Sequence, residues 1–231
     1  MCGRFKKEKT EAELIERFRV EELLFDAAVR YNIAPTQQVA IVRFDNGMRI
    51  LDGARWGLIP PWAKDAKIGN KAINARAESL ADKPMYRNAL ARRRCIVAAD
   101  GFYEWKKTVT GRVPMHIALK GGGLFGFAGL WEEWRDPHGE TVHSCTIITT
   151  TPNELTRDIH DRMPAILRPE DEDDWLTAPP GDVSYLLQLL KPYPAEEMEA
   201  HAVGNAVNSV ASEGPGLVVP VDETMGQGSL F

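Results

Sequence analysis

The sequence predicts a single α+β domain with mainly antiparallel or mixed sheets, open and barrel-like, flanked by short helices. Segments rich in β-branched and aromatic residues recur along the chain with short helical patterns between them. They do not alternate as repeated strand–helix–strand units, so a parallel doubly wound sheet is not expected. No internal repeat or linker divides the 231 residues, a length that supports one sizeable core.

Taken in order, residues 10–19 read as a helix, with Thr10 as cap, Glu13 three positions on, and Leu14, Ile15 and Phe18 as the apolar stripe. Tyr31 to Thr36 reads as a loop. Val39–Val42 and Arg49–Leu51 flank Asp45-Asn46-Gly47, a hairpin signal. The aromatic, proline-punctuated run from Arg55 to Trp62 is irregular. Ile73 to Glu78 is expected to open a helical region that continues through Leu80 and Tyr86–Ala91. Cys95–Ala99 is a buried-type strand running into Asp100–Trp105. Pro114–Leu119, Leu124–Leu130 and His143–Thr151 are further strands. Asn153–Ile159, Asp171–Leu176 and Val183–Leu190 read as short helices. Residues 214–231, rich in Gly, Pro and Ser, read as a frayed tail.

Composition narrows the function classes. Hydrophobic residues at 44% and charged residues at 26% are ordinary for a soluble domain, and no run of 18 apolar residues offers a membrane span. Arg4, Lys6, Lys7, Glu8 and Lys9 make the start too charged for a secretory signal. Cys2, Cys95 and Cys145 form no CxxC pair, and with His143 they are scattered singly, so a reducing cytoplasm is expected and neither disulfide nor metal site is. No cofactor is called for. The net charge of −5 conceals an asymmetry: residues 165–231 hold two basic and twelve acidic side chains of the total 28 and 33. The body therefore carries a net positive charge, compatible with a polyanion bound on one face.

Four stretches concentrate reactive groups: Cys2-Gly3-Arg4, Asn74-Ala75-Arg76-Ala77-Glu78, Phe102-Tyr103-Glu104-Trp105, and His160-Asp161-Arg162-Met163-Pro164. The small side chain at position 2 predicts loss of Met1, leaving a 1,2-aminothiol. Its α-amine, with a pKa of roughly 7.7–8.0 against about 10.4 for lysine, is far more often unprotonated at neutral pH. Such an amine attacks an aldehyde to give an imine, and the adjacent thiol closes a thiazolidine ring; the thiol alone is also an acyl-transfer nucleophile. From its position alone, Cys2 reads first as a small apolar residue in a frayed terminus. Glu104 among aromatics reads as a desolvated acid or as the exposed alternate of a strand. His160 reads as a proton shuttle or a helix cap. Asn74 reads as an oxyanion or hydroxyl donor or as a helix cap.

MCGRF, RYNIAPTQ, RWGLIPPW, INARAES, DGFYEW, DIHDRMP and AVGNAVN, in this order and spanning residues 2 to about 208, resemble the motifs of the SRAP family, named for SOS-response-associated peptidase. The resemblance implies a sensor of abasic sites in single-stranded DNA, whose Cys2 forms a thiazolidine with the ring-opened sugar aldehyde. It also implies that Asn74, Glu104 and His160 are the active-site partners: Glu104 exchanging protons with the sugar and imine, His160 assisting, Asn74 orienting the amine or substrate. Arg4 and Arg76 would hold flanking phosphates, with Arg4 also favouring the Cys2 thiolate. Trp62 matches the family's wedge between bases, although the family often has two adjacent aromatics where this chain has Trp62-Ala63. Pro35 would shape the loop beneath the DNA, and Arg162 would bind phosphate or pair with Asp161. The implied protein is a monomeric cytoplasmic one, near the nucleoid during repair, with abasic single-stranded DNA as its partner and no membrane or metal. The alternatives are an N-terminal-nucleophile amidase or peptidase, since glutamine amidotransferases also begin Met-Cys-Gly, and a non-covalent single-strand binder in which Cys2 is incidental.

Overall fold

Two sheets share one apolar core in the computed structural model, which describes residues 2–222. Strand β1 (Arg4–Lys7) leads into helix α1 (Glu11–Phe18). Thr10 caps it as expected: the Thr10 hydroxyl accepts from the Glu13 amide, and the Glu13 carboxylate accepts from the Thr10 amide at 2.7 Å. Its buried stripe is Leu14 and Phe18. After β2 (Glu22–Leu23), the segment expected as a loop begins instead as strand β3 (Arg30–Ile33), because it pairs antiparallel with β1. The hairpin of β4 (Gln38–Asp45) and β5 (Met48–Trp56) turns on Asn46 and Gly47, both at positive φ (51° and 84°), as a two-residue turn with the right twist requires.

Asn74–Arg76 forms strand β6 rather than opening a helix; a single 3-10 turn follows at Ala77–Ser79 before helix α2 (Arg87–Arg92). The chain then meanders through β7 (Arg94–Ala99), β8 (Gly101–Thr108), β9 (Gly111–Leu119), β10 (Phe125–Arg135) and β11 (Thr141–Thr150). Asn153–Ile159 is a run of turns and no helix. The Asn153 carboxamide accepts from the Thr156 amide (2.9 Å) and hydroxyl (3.0 Å), local bonds that compete with helical ones. Short strands β12 (Met163–Pro164) and β13 (Ile166–Leu167), helices α3 (Glu172–Thr177) and α4 (Val183–Gln188), and strand β14 (Met198–Ala202) complete the fold.

One sheet has the order β14-β9-β8-β1-β3 and the other β12-β11-β10-β7-β4-β5-β2. The second is closed, not open. Parallel pairing of β5 with β11, through Arg55 with Ser144 and Trp56 with Cys145, joins β11-β10-β7-β4-β5 into a five-strand barrel. Closure continues through Gly57, whose amide donates to the Cys145 carbonyl at 2.8 Å. Gly57 sits at φ 132°, and a Cβ there would lie 2.5 Å from the Gly69 carbonyl, so the junction admits no side chain.

The core between the sheets is aromatic. Phe5 of β1 meets Trp56 edge-on at 5.1 Å and Phe127 at 5.8 Å, and Phe102 meets Phe127 at 5.9 Å. Burying each such side chain contributes about 1.5–3 kcal/mol, so the N-terminal strand is anchored at the centre of the fold. Of the expected tail, residues 214–222 are packed: Leu217 is buried and the Val221 amide donates to the Ala202 carbonyl at 2.9 Å. Residues 223–231 lie outside the described residues. No helix among the described residues is long and apolar enough to cross a membrane.

Candidate active site around Cys2

The register of β1 on β8 pairs Arg4 with Tyr103 and Phe5 with Phe102, which directs the chain before Arg4 along β8 toward Glu104. Cys2 is fully buried, its thiol 3.8 Å from the Arg4 carbonyl. Strand β6 lies parallel to β11, with Asn74 paired with Ile147. From there the Asn74 amide nitrogen donates to the Cys2 carbonyl at 2.7 Å, while its own Oδ1 is buried with no partner among the described residues. Asn74 thus fixes residue 2 and keeps an acceptor in reserve beside it.

Glu104 is buried, and with His160 it lines a cavity of about 640 Å³. Burial pushes the Glu104 carboxyl above the usual carboxylate range, and the nearby His160 partly offsets this. This is the desolvated acid, not the exposed strand residue. The Cys2 thiol is pushed well up by burial and then by the Glu104 charge, so at neutral pH it is a thiol. Arg4 does not favour the thiolate as expected, because its guanidinium is directed elsewhere.

His160 caps no helix. Its Nδ1 lies 2.8 Å from the Asp161 carboxylate and 3.1 Å from the Arg162 amide. Arg162 pairs with neither Asp161 nor solvent. It makes a two-pronged ion pair with Glu78 (2.7 and 2.9 Å) and donates to the Thr149 carbonyl at 2.6 Å. That pairing ties the turn after β6 to the His160 segment, and hydrogen bonding to Arg162 holds the Glu78 carboxyl below its usual range.

The remaining expected residues scatter. The Arg4 guanidinium is nearly buried; it donates to Asn32 Oδ1 (2.6 Å) and the Val207 carbonyl (2.8 Å), and lies 5.9 Å over the Trp105 ring. Arg76 is exposed and has no ion pair among the described residues. Pro35 lies in the turn after β3, next to Thr36, whose amide donates to the Trp56 carbonyl. Trp62 is no core residue: it is 60% exposed and lines a separate groove with Pro84, Met85 and Asn88. Cys2, Asn74, Glu104 and His160 come together; Trp62 and Pro35 do not join them.

Sequence reasoning assigned no role to Asn32, Trp105 or Asn208. The Trp105 indole donates to Asn208 Oδ1 at 2.7 Å, and the Asn32 amide reaches the Ser209 and Ser212 carbonyls at 2.9 and 3.0 Å. Together they fasten the 205–208 turn over Arg4 and so over the approach to Cys2. The only signal was their presence within RYNIAPTQ, DGFYEW and AVGNAVN. Among the described residues no three His, Cys, Asp or Glu side chains converge as a metal site would require.

A family model described as SOS response associated peptidase (SRAP) matches residues 1–210. The chain is 48% identical over 221 residues to abasic site processing protein YoqW of Bacillus subtilis, covering 94% of this chain and 99% of that one. It is 33% identical over 202 residues to abasic site processing protein HMCES of Gallus gallus, covering 77% of this chain and 60% of that protein. Among solved structures, a protein from Bacteroides thetaiotaomicron superposes with a TM-score of 0.85 at 28% identity, over 95% of this chain and all of that one. One from Bordetella bronchiseptica gives 0.77 at 32% identity, over 87% and 99%.

Proposed function

Because this chain belongs to the SRAP family, we propose that it processes abasic sites in single-stranded DNA by capturing the lesion covalently through Cys2. The observation that carries this reading is the Asn74–Cys2 hydrogen bond, which fixes residue 2 beside the cavity lined by Glu104 and His160. After Met1 is removed, the Cys2 α-amine adds to the C1′ aldehyde of the ring-opened sugar. Loss of water gives an imine. The thiol then adds across the C=N bond, forming C–S and returning a hydrogen to nitrogen, so the thiazolidine adduct lacks one water relative to its components.

Each step moves a proton, and the buried Glu104, with its carboxyl above the usual range, is suited to give and take it. It protonates the sugar ring oxygen as the ring opens and receives the thiol proton as sulfur attacks, so a preformed thiolate is not required. His160, on the same cavity as Glu104, assists at the sugar. Asn74 holds the Cys2 carbonyl so that the amine and thiol converge on one carbon. The exposed Arg76 is the proposed contact to a flanking phosphate, with Arg162 engaged by Glu78 and Arg4 holding the wall of the site, Trp62 against unpaired bases and Pro35 shaping the adjacent turn. The protein would act as a monomer in the cytoplasm, on DNA at the nucleoid, without metal or cofactor.

The test is incubation with a single-stranded oligonucleotide carrying one abasic site, with Cys2→Ala and an undamaged strand as controls. A heat-stable adduct that needs both Cys2 and the lesion supports the reading. An adduct that survives Cys2→Ala contradicts it.

A further inference from the structure

The cavity lined by Glu104 and His160 opens onto three cations that the capture chemistry does not use. Lys107 and Arg112 are directly opposite each other in the β8–β9 ladder. Side chains two apart on a strand share a face, so Lys107 continues the row begun by Trp105, away from Cys2. Arg157 faces the same opening from the turns after β11. All three are exposed, and none makes an ion pair or side-chain hydrogen bond among the described residues. Most other cations near the site are already engaged: Arg4 by Asn32, Arg162 by Glu78, Lys6 by Asp100. The acids on the same cavity oppose them only weakly, since Glu104 is buried and Asp161 faces His160; Asp158 is the exposed exception.

We propose that Lys107, Arg112 and Arg157 form a phosphodiester track that carries the DNA strand away from the lesion on one side of the site. This rests on the reading above for the strand's entry at Cys2. An unneutralised cation row contiguous with the cavity fits the regularly spaced charges of a single strand, and the half-buried Trp105 at its inner end offers a ring edge beside the first nucleotide. Charge of this kind sets affinity and register and does not read sequence.

The experiment uses full-length protein with Cys2→Ala, so that binding is an equilibrium, with and without Lys107→Ala, Arg112→Ala and Arg157→Ala together. Fluorescence anisotropy is read on oligonucleotides carrying one abasic site and extended only 5′ or only 3′ of it, at several salt concentrations. Three lost phosphate contacts should lower the magnitude of the log K against log salt slope by about 2, at about 0.7 per contact for a single strand. The loss should appear on strands extended to one side only, together with loss of the affinity gained by lengthening that side. An unchanged slope and length dependence on both sets overturns the proposal, as does an equal loss on both. Adduct formation by the protein with Cys2 intact is read separately: an adduct with no slope change sinks the track alone, and a slope change with no adduct sinks the capture reading alone.

Discussion

The Asn74 side-chain amide donates to the Cys2 carbonyl at 2.7 Å, a bond between residues 72 positions apart that joins strand β6 to the N-terminus. Cys2 precedes β1 and is held from a distant strand, and what its neighbours on β8 and after β11 can do follows from that.

Removing the donor should loosen the nucleophile without unfolding the protein. Asn74→Ala is expected to slow adduct formation about two- to thirteenfold, the equivalent of a net hydrogen bond of about 0.5–1.5 kcal/mol. Single-turnover rates with abasic DNA check this, with thermal denaturation as the control. Asn74→Ala at the parent rate would show that the bond does not position Cys2.

Glu104 gives a prediction with opposite signs for stability and activity. Burial raises its folded carboxyl above the unfolded value, so its favourable contribution to folding is present at low pH and lost as pH rises through the folded value. Above that value the cost of burying the carboxylate is borne in full. Glu104→Gln should therefore raise the melting temperature at pH 7, by an amount that vanishes under acid conditions, while adduct formation falls. A melting temperature lowered at pH 7 would count against the desolvated acid.

His116 supplies the acid limit of the fold. Its ring is buried against Tyr103, 5.5 Å away, and Nε2 has no partner among the described residues. Burial first, and the charges of Lys6 and His201 next, push it down to about 3. The folded state holds it neutral and the unfolded state does not, so stability is full above about 6.5 and declines as pH falls from there toward 3. The expected slope from this one group is about 1.4 kcal/mol per pH unit. Chemical denaturation between pH 7 and 4 should show a shallower decline in His116→Gln; equal slopes would refute the assignment.

What was legible from the sequence was local. Thr10 with Glu13, and Asn46 with Gly47, announce a cap and a turn by their own chemistry, and both stand in the fold. Strand β6 stands where a helix start is expected because its three residues are held by parallel pairing to β11, some 70 positions later, and nothing in their own pattern records that partner. The expected helix at 153–159 is a run of turns because the Asn153 carboxamide bonds locally and diverts the backbone. Closure of the barrel depends on Gly57 against Gly69, a contact between two small residues that carries no sequence period. The reactive residues were visible as chemistry. The clamp of Asn32, Trp105 and Asn208 around Arg4 was not, since asparagines and a tryptophan acquire that meaning only once the chain's end is brought back to its beginning.

Ring closure on Cys2 is read from the intact mass of the protein before and after reaction with abasic single-stranded DNA, with and without borohydride. A chain lacking Met1 is expected, then an adduct equal to that chain plus the oligonucleotide minus one water, with no hydrogen gained on borohydride treatment because a closed thiazolidine has no imine to reduce. Cys2→Ala should give no such species. An adduct that gains two hydrogens, or one that retains Met1, would contradict ring closure by the amine and thiol of Cys2.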